Sequence, residues 1–125
     1  MHKPPGLPRL LLAGIFVNGG LRTFAHAEER TGPAEKLGLP NALQIVRFDS
    51  AAKVVGGTAM ALGILPRLAA AGLAASLVPT TLGAHRFWEM EDPRDRSMHL
   101  THFLKNAGIL GGLLLVAMWP RGRRA

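Results

Sequence analysis

The residues best equipped for chemistry lie between His85 and Asn106. His85 and Glu89 stand four positions apart and His99 and His102 three apart, spacings that place each pair on one face of a helix. Two histidines and a carboxylate form a set that can ligate a metal. The spacing permits this without specifying it, because the chain has no HExxH or comparable signature, and no metal site is assigned. Histidine, tryptophan and arginine are also ordinary residues of a membrane boundary. A second chemistry suits the same stretch. His85, Trp88, Glu89, His102, Lys105 and Asn106 at a membrane edge would hydrogen-bond the carbonyls of a quinone and stack on its ring, with apolar helices taking its tail. The chain has no cysteine, which excludes thiol chemistry, disulfides and iron–sulfur ligation by its own residues. A bis-histidine haem finds no specific support.

Three more polar residues fall in or beside apolar blocks: Asn18, Asp49 and Lys53. Asp49 precedes Lys53 by four positions, the favoured orientation for an ion pair on a helix. Asn18, near the middle of its block, suits a hydrogen bond between helices, as does Asn106, while Lys105 can snorkel to the interface. Polar groups inside a membrane are costly and often functional. These three are therefore secondary site candidates, with structural glue as the plainer account.

The elements that must position these residues are apolar blocks. Hydrophobic residues make up 48% of the 125, with 15 glycines and no tyrosine. They are clumped into spans of approximately 7–27, 48–65, 67–86 and 98–119. A helix of about 20 residues crosses the roughly 30 Å hydrocarbon core. Only the third block is free of charge, from Leu68 to Ala84; the others reach spanning length by including polar residues near their ends. Leu68–Ala84 and Ile109–Trp119 are apolar around their whole circumference, and too little chain remains to cover two such helices in water. The expectation is an all-α fold, one domain over 1–125: a four-helix transmembrane bundle with antiparallel up-down topology.

Local signals refine this. Lys3, Leu10–Val17 and Ala25-His26-Ala27 resemble a signal peptide with a cleavage site, but Asn18-Gly19-Gly20 and Arg22 lengthen and polarise the segment, so it is read as a retained first span. Gly32-Pro33 and Gly38-Leu39-Pro40 should break any helix in the first loop. Asn41–Phe48 is either an interfacial turn or the start of span two, with Pro40 suited to the first helical position. Leu65-Pro66-Arg67 makes a tight turn. Pro79 should kink span three near Ala75–Pro79, with Thr80 and Thr81 close enough to satisfy freed carbonyls. Gly108 and Gly112, Ala52 and Gly56, and Gly57 and Ala61 are small-xxx-small pairs, suited to packing within the chain or to a homo-oligomer.

Four spans put both termini on one side. Lys3, Arg9, Arg67, Arg121, Arg123 and Arg124 lie there, balanced by Arg30, Lys36, Arg47, Arg86, Arg94 and Arg96 opposite. The opposite loops also hold every acid except Asp49, and the termini are accordingly expected to be cytoplasmic. The net charge of +7 is spread over span ends instead of forming a stripe with interleaved aromatics, which argues against nucleic acid. The Arg121–Arg124 tail suits anionic lipid headgroups.

The stretch Leu65–Ala117 carries strings that go beyond composition: LPRLA, LVPTT, HRFWE followed by DP, and HFLKN leading into GILGGLLL. It resembles the C-terminal half of DoxX-family membrane proteins. The first half agrees more loosely through LLLAGIFVNGGL, the Pro-containing loop and Gly56-Gly57. The resemblance implies a four-helix domain, usually of the bacterial cytoplasmic membrane. It also implies an accessory role beside membrane oxidoreductases, including a thiosulfate:quinone oxidoreductase subunit, by analogy. Many relatives carry an acid early in span two, where this chain has Lys53 and, a turn before, Asp49. The function expected is a small membrane protein of DoxX type, an accessory or quinone-interacting subunit of a redox system with a redox partner protein. The alternative is a non-enzymatic scaffold that packs on a partner through glycine-rich faces. A transporter built from one such unit without an internal repeat would need to oligomerise.

Overall fold

The structure, a computed structural model, describes residues 3–121. Among the described residues there are four long α-helices and one short one: α1 (Gly6–Ala25), α2 (Gly32–Lys36), α3 (Ala42–Leu62), α4 (Pro66–Ala84) and α5 (Pro93–Ala117). Turns of 3₁₀ helix cover Ala27–Arg30 and Phe87–Glu89, and no strand occurs among the described residues. The basic tail expected at Arg121–Arg124 lies outside the described residues beyond Arg121.

Several boundaries differ from the sequence expectation. The helix expected near Met98 starts at Pro93, because Asp92 caps it. Its Oδ1 accepts the Arg94 amide at 2.9 Å, and Pro93 occupies the first turn, where its missing N–H costs nothing. Asn41–Phe48 resolves as helix: α3 begins at Ala42, after Asn41 in the left-handed region at φ 54°. Pro40 therefore precedes the cap and does not open the helix. Gly32-Pro33, expected to break any helix, opens α2 instead, with Pro33 in its first turn. At the other end of α3, Gly63 takes φ 76°. The Ile64 amide reaches the Ala59 carbonyl at 2.9 Å and the Gly63 amide that of Met60 at 3.2 Å, a Schellman ending that turns the chain into α4.

Helix α4 continues through Pro79. The Thr80 and Thr81 hydroxyls donate to the Ser76 and Leu77 carbonyls, at 2.9 and 2.7 Å.

Close approach of helices is set by glycine. A Cβ at Gly20 of α1 would sit 2.8 Å from the Ser50 carbonyl oxygen of α3, and one at Gly57 of α3 would lie 3.0 Å from Val17. Gly56 faces Leu73 of α4, and Gly112 faces Leu12 of α1. The small-residue faces of α3 and the Gly112 end of α5 thus serve packing within the chain, while Gly108 faces open space.

The core is made of Ala13, Phe16, Met60, Ala70, Leu73, Ala74, Leu77, Leu113 and Val116. Outside it Leu10, Leu11, Ile15, Val55, Leu68, Leu104 and Leu115 are exposed, Leu11 by 70%. So many large aliphatics on the outside of the bundle match a protein solvated by lipid. By length and composition, α5 and the segment Pro66–Glu89 can each cross a membrane; α1 qualifies only together with the following segment, across a bend of 108°. Helix α3 does not qualify, because Arg47, Asp49 and Lys53 lie within it.

One end of the bundle is tied by arginines. Arg9 donates to the Met60 and Ala61 carbonyls at the end of α3, at 2.8 and 3.3 Å. Arg67, at the start of α4, donates to the Trp119 carbonyl at 2.8 Å. The start of α1, the end of α5 and the α3–α4 turn therefore share one end, as up-down topology requires.

Candidate functional site

Two polar assemblies occupy the opposite end of the bundle and its flank. In the first, α3 presents Asp49 and Lys53 on one face. Lys53 Nζ lies 2.7 Å from Asp49 Oδ2 and donates to Thr80 Oγ1 at 3.0 Å. The Ser76 hydroxyl donates to Asp49 Oδ1 at 2.5 Å. The ion pair expected from spacing is thus stitched to α4 by two hydroxyls one helical turn apart, a connection that spacing alone does not disclose.

This network borders a cavity of about 500 Å³. Its walls are α3 (Ile45, Val46, Asp49, Ser50, Lys53) and α4 (Pro79, Thr80, Ala84), with Pro33 and Ala34 of α2 and Leu37 and Leu39 just after it along one side and Thr23, Glu29 and Arg30 at the α1 end. Helix α2 is held there by contact with α4. A Cβ at Gly83 would meet the Pro33 carbonyl oxygen at 2.7 Å. The lining is mostly apolar, with a few convergent polar groups, the usual character of a small-molecule site.

The second assembly joins the end of α4 to the start of α5. His85 and His99 approach Nδ1 to Nδ1 at 3.2 Å, and His85 stacks on His102 with ring centroids 5.0 Å apart. Phe87, Trp88 and Phe103 pack edge to face beside them, at centroid distances of 5.2 to 6.1 Å. Below, the Asn106 amide donates to Thr81 Oγ1 at 3.0 Å, both residues buried. His85 and Glu89 do not share a helix face as expected. α4 ends at Ala84, and Glu89 turns away in a 3₁₀ turn to accept from Arg86 at 2.9 Å. Lys105 is exposed one turn past His102. No cluster of three metal-ligating groups occurs among the described residues. Asn18 joins neither assembly: it is exposed on α1 and hydrogen-bonds to no other helix among the described residues.

Comparison with known proteins decides the family. The DoxX family model matches residues 6–86, well over half of the chain. The chain belongs to the DoxX family. It is also 30% identical, over 97 residues, to an uncharacterized membrane protein of Mycobacterium tuberculosis. That similarity covers 66% of this chain and 59% of the relative, so the chain spans less than two thirds of that protein's length. No solved structure matches.

The DoxX match contains LPRLA and LVPTT, whereas the whole of α5, HFLKN included, lies beyond it. Every residue lining the cavity under α2 falls inside the matched segment. Of the histidine assembly only His85 does. Sequence reasoning found Asp49 and Lys53 but missed Ser76, Thr80 and the cover formed by α2. The hydroxyls were legible only as partners for a proline-interrupted helix, and α2 was concealed by residues that usually end helices.

Proposed function

We propose that this DoxX-family membrane protein is a non-catalytic, quinone-interacting subunit of a membrane redox system, and that the cavity beneath α2 receives the quinone ring. The observation carrying this reading is the cavity's size and lining. Its roughly 500 Å³ lies within the range of about 300–1,000 Å³ typical of small-molecule sites. The groove beside Thr81 and Asn106 measures about 110 Å³, too little for a substituted ring. Lys53 has three N–H donors, and Asp49 and Thr80 take two. The third is left for a carbonyl oxygen. Thr23 accepts from Arg30 at 3.4 Å and keeps its hydroxyl hydrogen to donate. A quinone supplies two-electron redox chemistry when bound; the residues here hold and orient it in a largely apolar site. In this reading all four long helices span the bacterial cytoplasmic membrane, with both termini cytoplasmic.

The test is to purify the full chain in mild detergent, extract it with solvent and quantify quinone, then titrate a short-chain quinone into it. Retained quinone in the wild type, lost in Lys53→Met while the protein stays folded, supports the proposal. Absence of both retained and added quinone sinks it.

A scaffold role has one specific support, the open space around Gly108 on α5. Gly108→Leu should then release a co-purifying membrane partner and leave quinone binding intact.

A further inference from the structure

We infer that the imidazole cluster at the α4–α5 end, with Lys105, binds a phosphate-type oxyanion presented by an anionic phospholipid whose acyl chain lies in the groove between α4 and α5. His85, His99 and His102 come together, and Lys105 follows His102 by less than one turn. No carboxylate is ion-paired with any of them among the described residues: Glu89 is held by Arg86, and Asp92 caps α5. The Lys105 ammonium, ion-paired with no carboxylate among the described residues, selects an anion from its surroundings, and the imidazoles add ring N–H donors beside it.

Hydrogen bonding narrows the choice. An Nδ1···Nδ1 bond requires one ring to donate and the other to accept. The accepting ring of the His85–His99 pair, being neutral at Nδ1, carries its proton on Nε2. That N–H, His102 and the Lys105 ammonium supply several donors at the same α4–α5 end, suited to an acceptor with several oxygens.

The groove supplies the second half of the ligand. Its walls are Leu77, Val78, Thr81 and Leu82 on α4 and Phe103, Asn106, Ala107 and Leu110 on α5, enclosing about 110 Å³. This volume is too small for a ring system but suits part of a methylene chain. The helices are antiparallel, so periodicity fixes where the groove leads. One turn beyond Thr81 is His85, and one turn before Asn106 and Phe103 are His102 and His99. The apolar groove therefore opens onto the imidazoles. Val78, Leu82 and Ala107 expose its flank on the lipid-facing surface, and the aromatic trio Phe87, Trp88 and Phe103 stands at the head end, the level where aromatic rings gather in membranes. Head and tail recognition are thus in line along one helix pair.

The test is native mass spectrometry of the detergent-released full chain, titrated with phosphatidylglycerol, with phosphatidylcholine of the same acyl chains, and with inorganic phosphate. Phosphatidylglycerol should be retained over phosphatidylcholine, and Lys105→Gln should cut that preference about fivefold, the effect of one basic residue at an anionic surface. His102→Gln should also lower it. Ala107→Phe, filling the groove, should weaken lipid retention without altering any binding of phosphate. Quinone retention at Lys53 should not change in these variants, so the two sites fail or survive separately. Equal retention of the two lipids, or a preference untouched by Lys105→Gln and His102→Gln, would overturn the inference. Phosphate binding as tight as lipid, with Ala107→Phe silent, would overturn the lipid and leave a free oxyanion as the ligand.

Discussion

Asp49 and Lys53 illustrate how a charged pair survives inside an apolar bundle. Each carries further hydrogen bonds from α4, so that neither charge relies on the other alone. Removing one partner strands the other. Asp49→Asn or Lys53→Met should each cost about 1 kcal/mol, the low end of the penalty for an unsatisfied polar group because the pair is only partly buried, whereas the double variant should recover part of the loss because no lone charge remains. Unfolding of the three variants in a fixed detergent checks this, and additive losses would contradict it. Asn106 and Thr81 give a second, asymmetric case. Thr81 still donates to the Leu77 carbonyl when Asn106 is absent, so Asn106→Ala should cost only about 0.6–1 kcal/mol. Thr81→Val leaves the buried Asn106 amide without its acceptor and should cost more. At this scale the sequence reveals pairs along one helix, such as Asp49 with Lys53, since helical period alone brings them together. It does not reveal Ser76 with Asp49 or Thr81 with Asn106, because those depend on the registers of α3 on α4 and of α4 on α5.

The helices themselves are legible as apolar blocks, and so are the starts of α1 and α4 to within a residue, but the starts of α3 and α5 are not. In lipid the hydropathy signal fades at the interface, while the backbone goes on obeying capping rules. α5 therefore runs back through Arg96, Asp95 and Arg94 to the Asp92 cap, and α3 back to Ala42. Asp92-Pro93 was a readable start; the apolar pattern, beginning later, masked it. The short α2 is the element with most leverage on the cavity, and its hold depends on the bare face of Gly83 against the Pro33 carbonyl. Gly83→Leu should push α2 away and open the cavity. In a chain without native cysteine, Ala34→Cys, buried in the present fold, should react with a thiol reagent faster in the Gly83→Leu background. An unchanged rate would mean α2 is held elsewhere. Gly20→Val, by contrast, crowds the α1–α3 seam against backbone and should lower stability by about 1–3 kcal/mol without a specific effect at position 34.

For the whole molecule, the proposed four-span reading requires α3 to cross the membrane. Its three charged residues disqualify it on hydropathy, since each charge at the bilayer centre costs about 2.5–3.5 kcal/mol on insertion scales. The folded bundle changes that sum. Asp49 and Lys53 neutralise each other against α4, and Arg47, two positions before Asp49, lies 3.9 Å from Glu28 outside the helix. The large apolar residues that α3 then exposes are Phe48, Val55 and Leu62. Topology follows from this. If α3 spans, the α3–α4 turn and the end of α5 lie on one side, and α2 and the α4–α5 turn on the other. Leu65→Cys and Met118→Cys, both exposed, should then respond alike to a membrane-impermeant maleimide in whole cells. Glu35→Cys and Glu91→Cys should show the opposite response. Labelling of Glu35→Cys together with Leu65→Cys would make α3 a segment that enters and leaves on one side; the 108° bend after α1 would then be part of a re-entrant path, and the cavity under α2 would open toward that side.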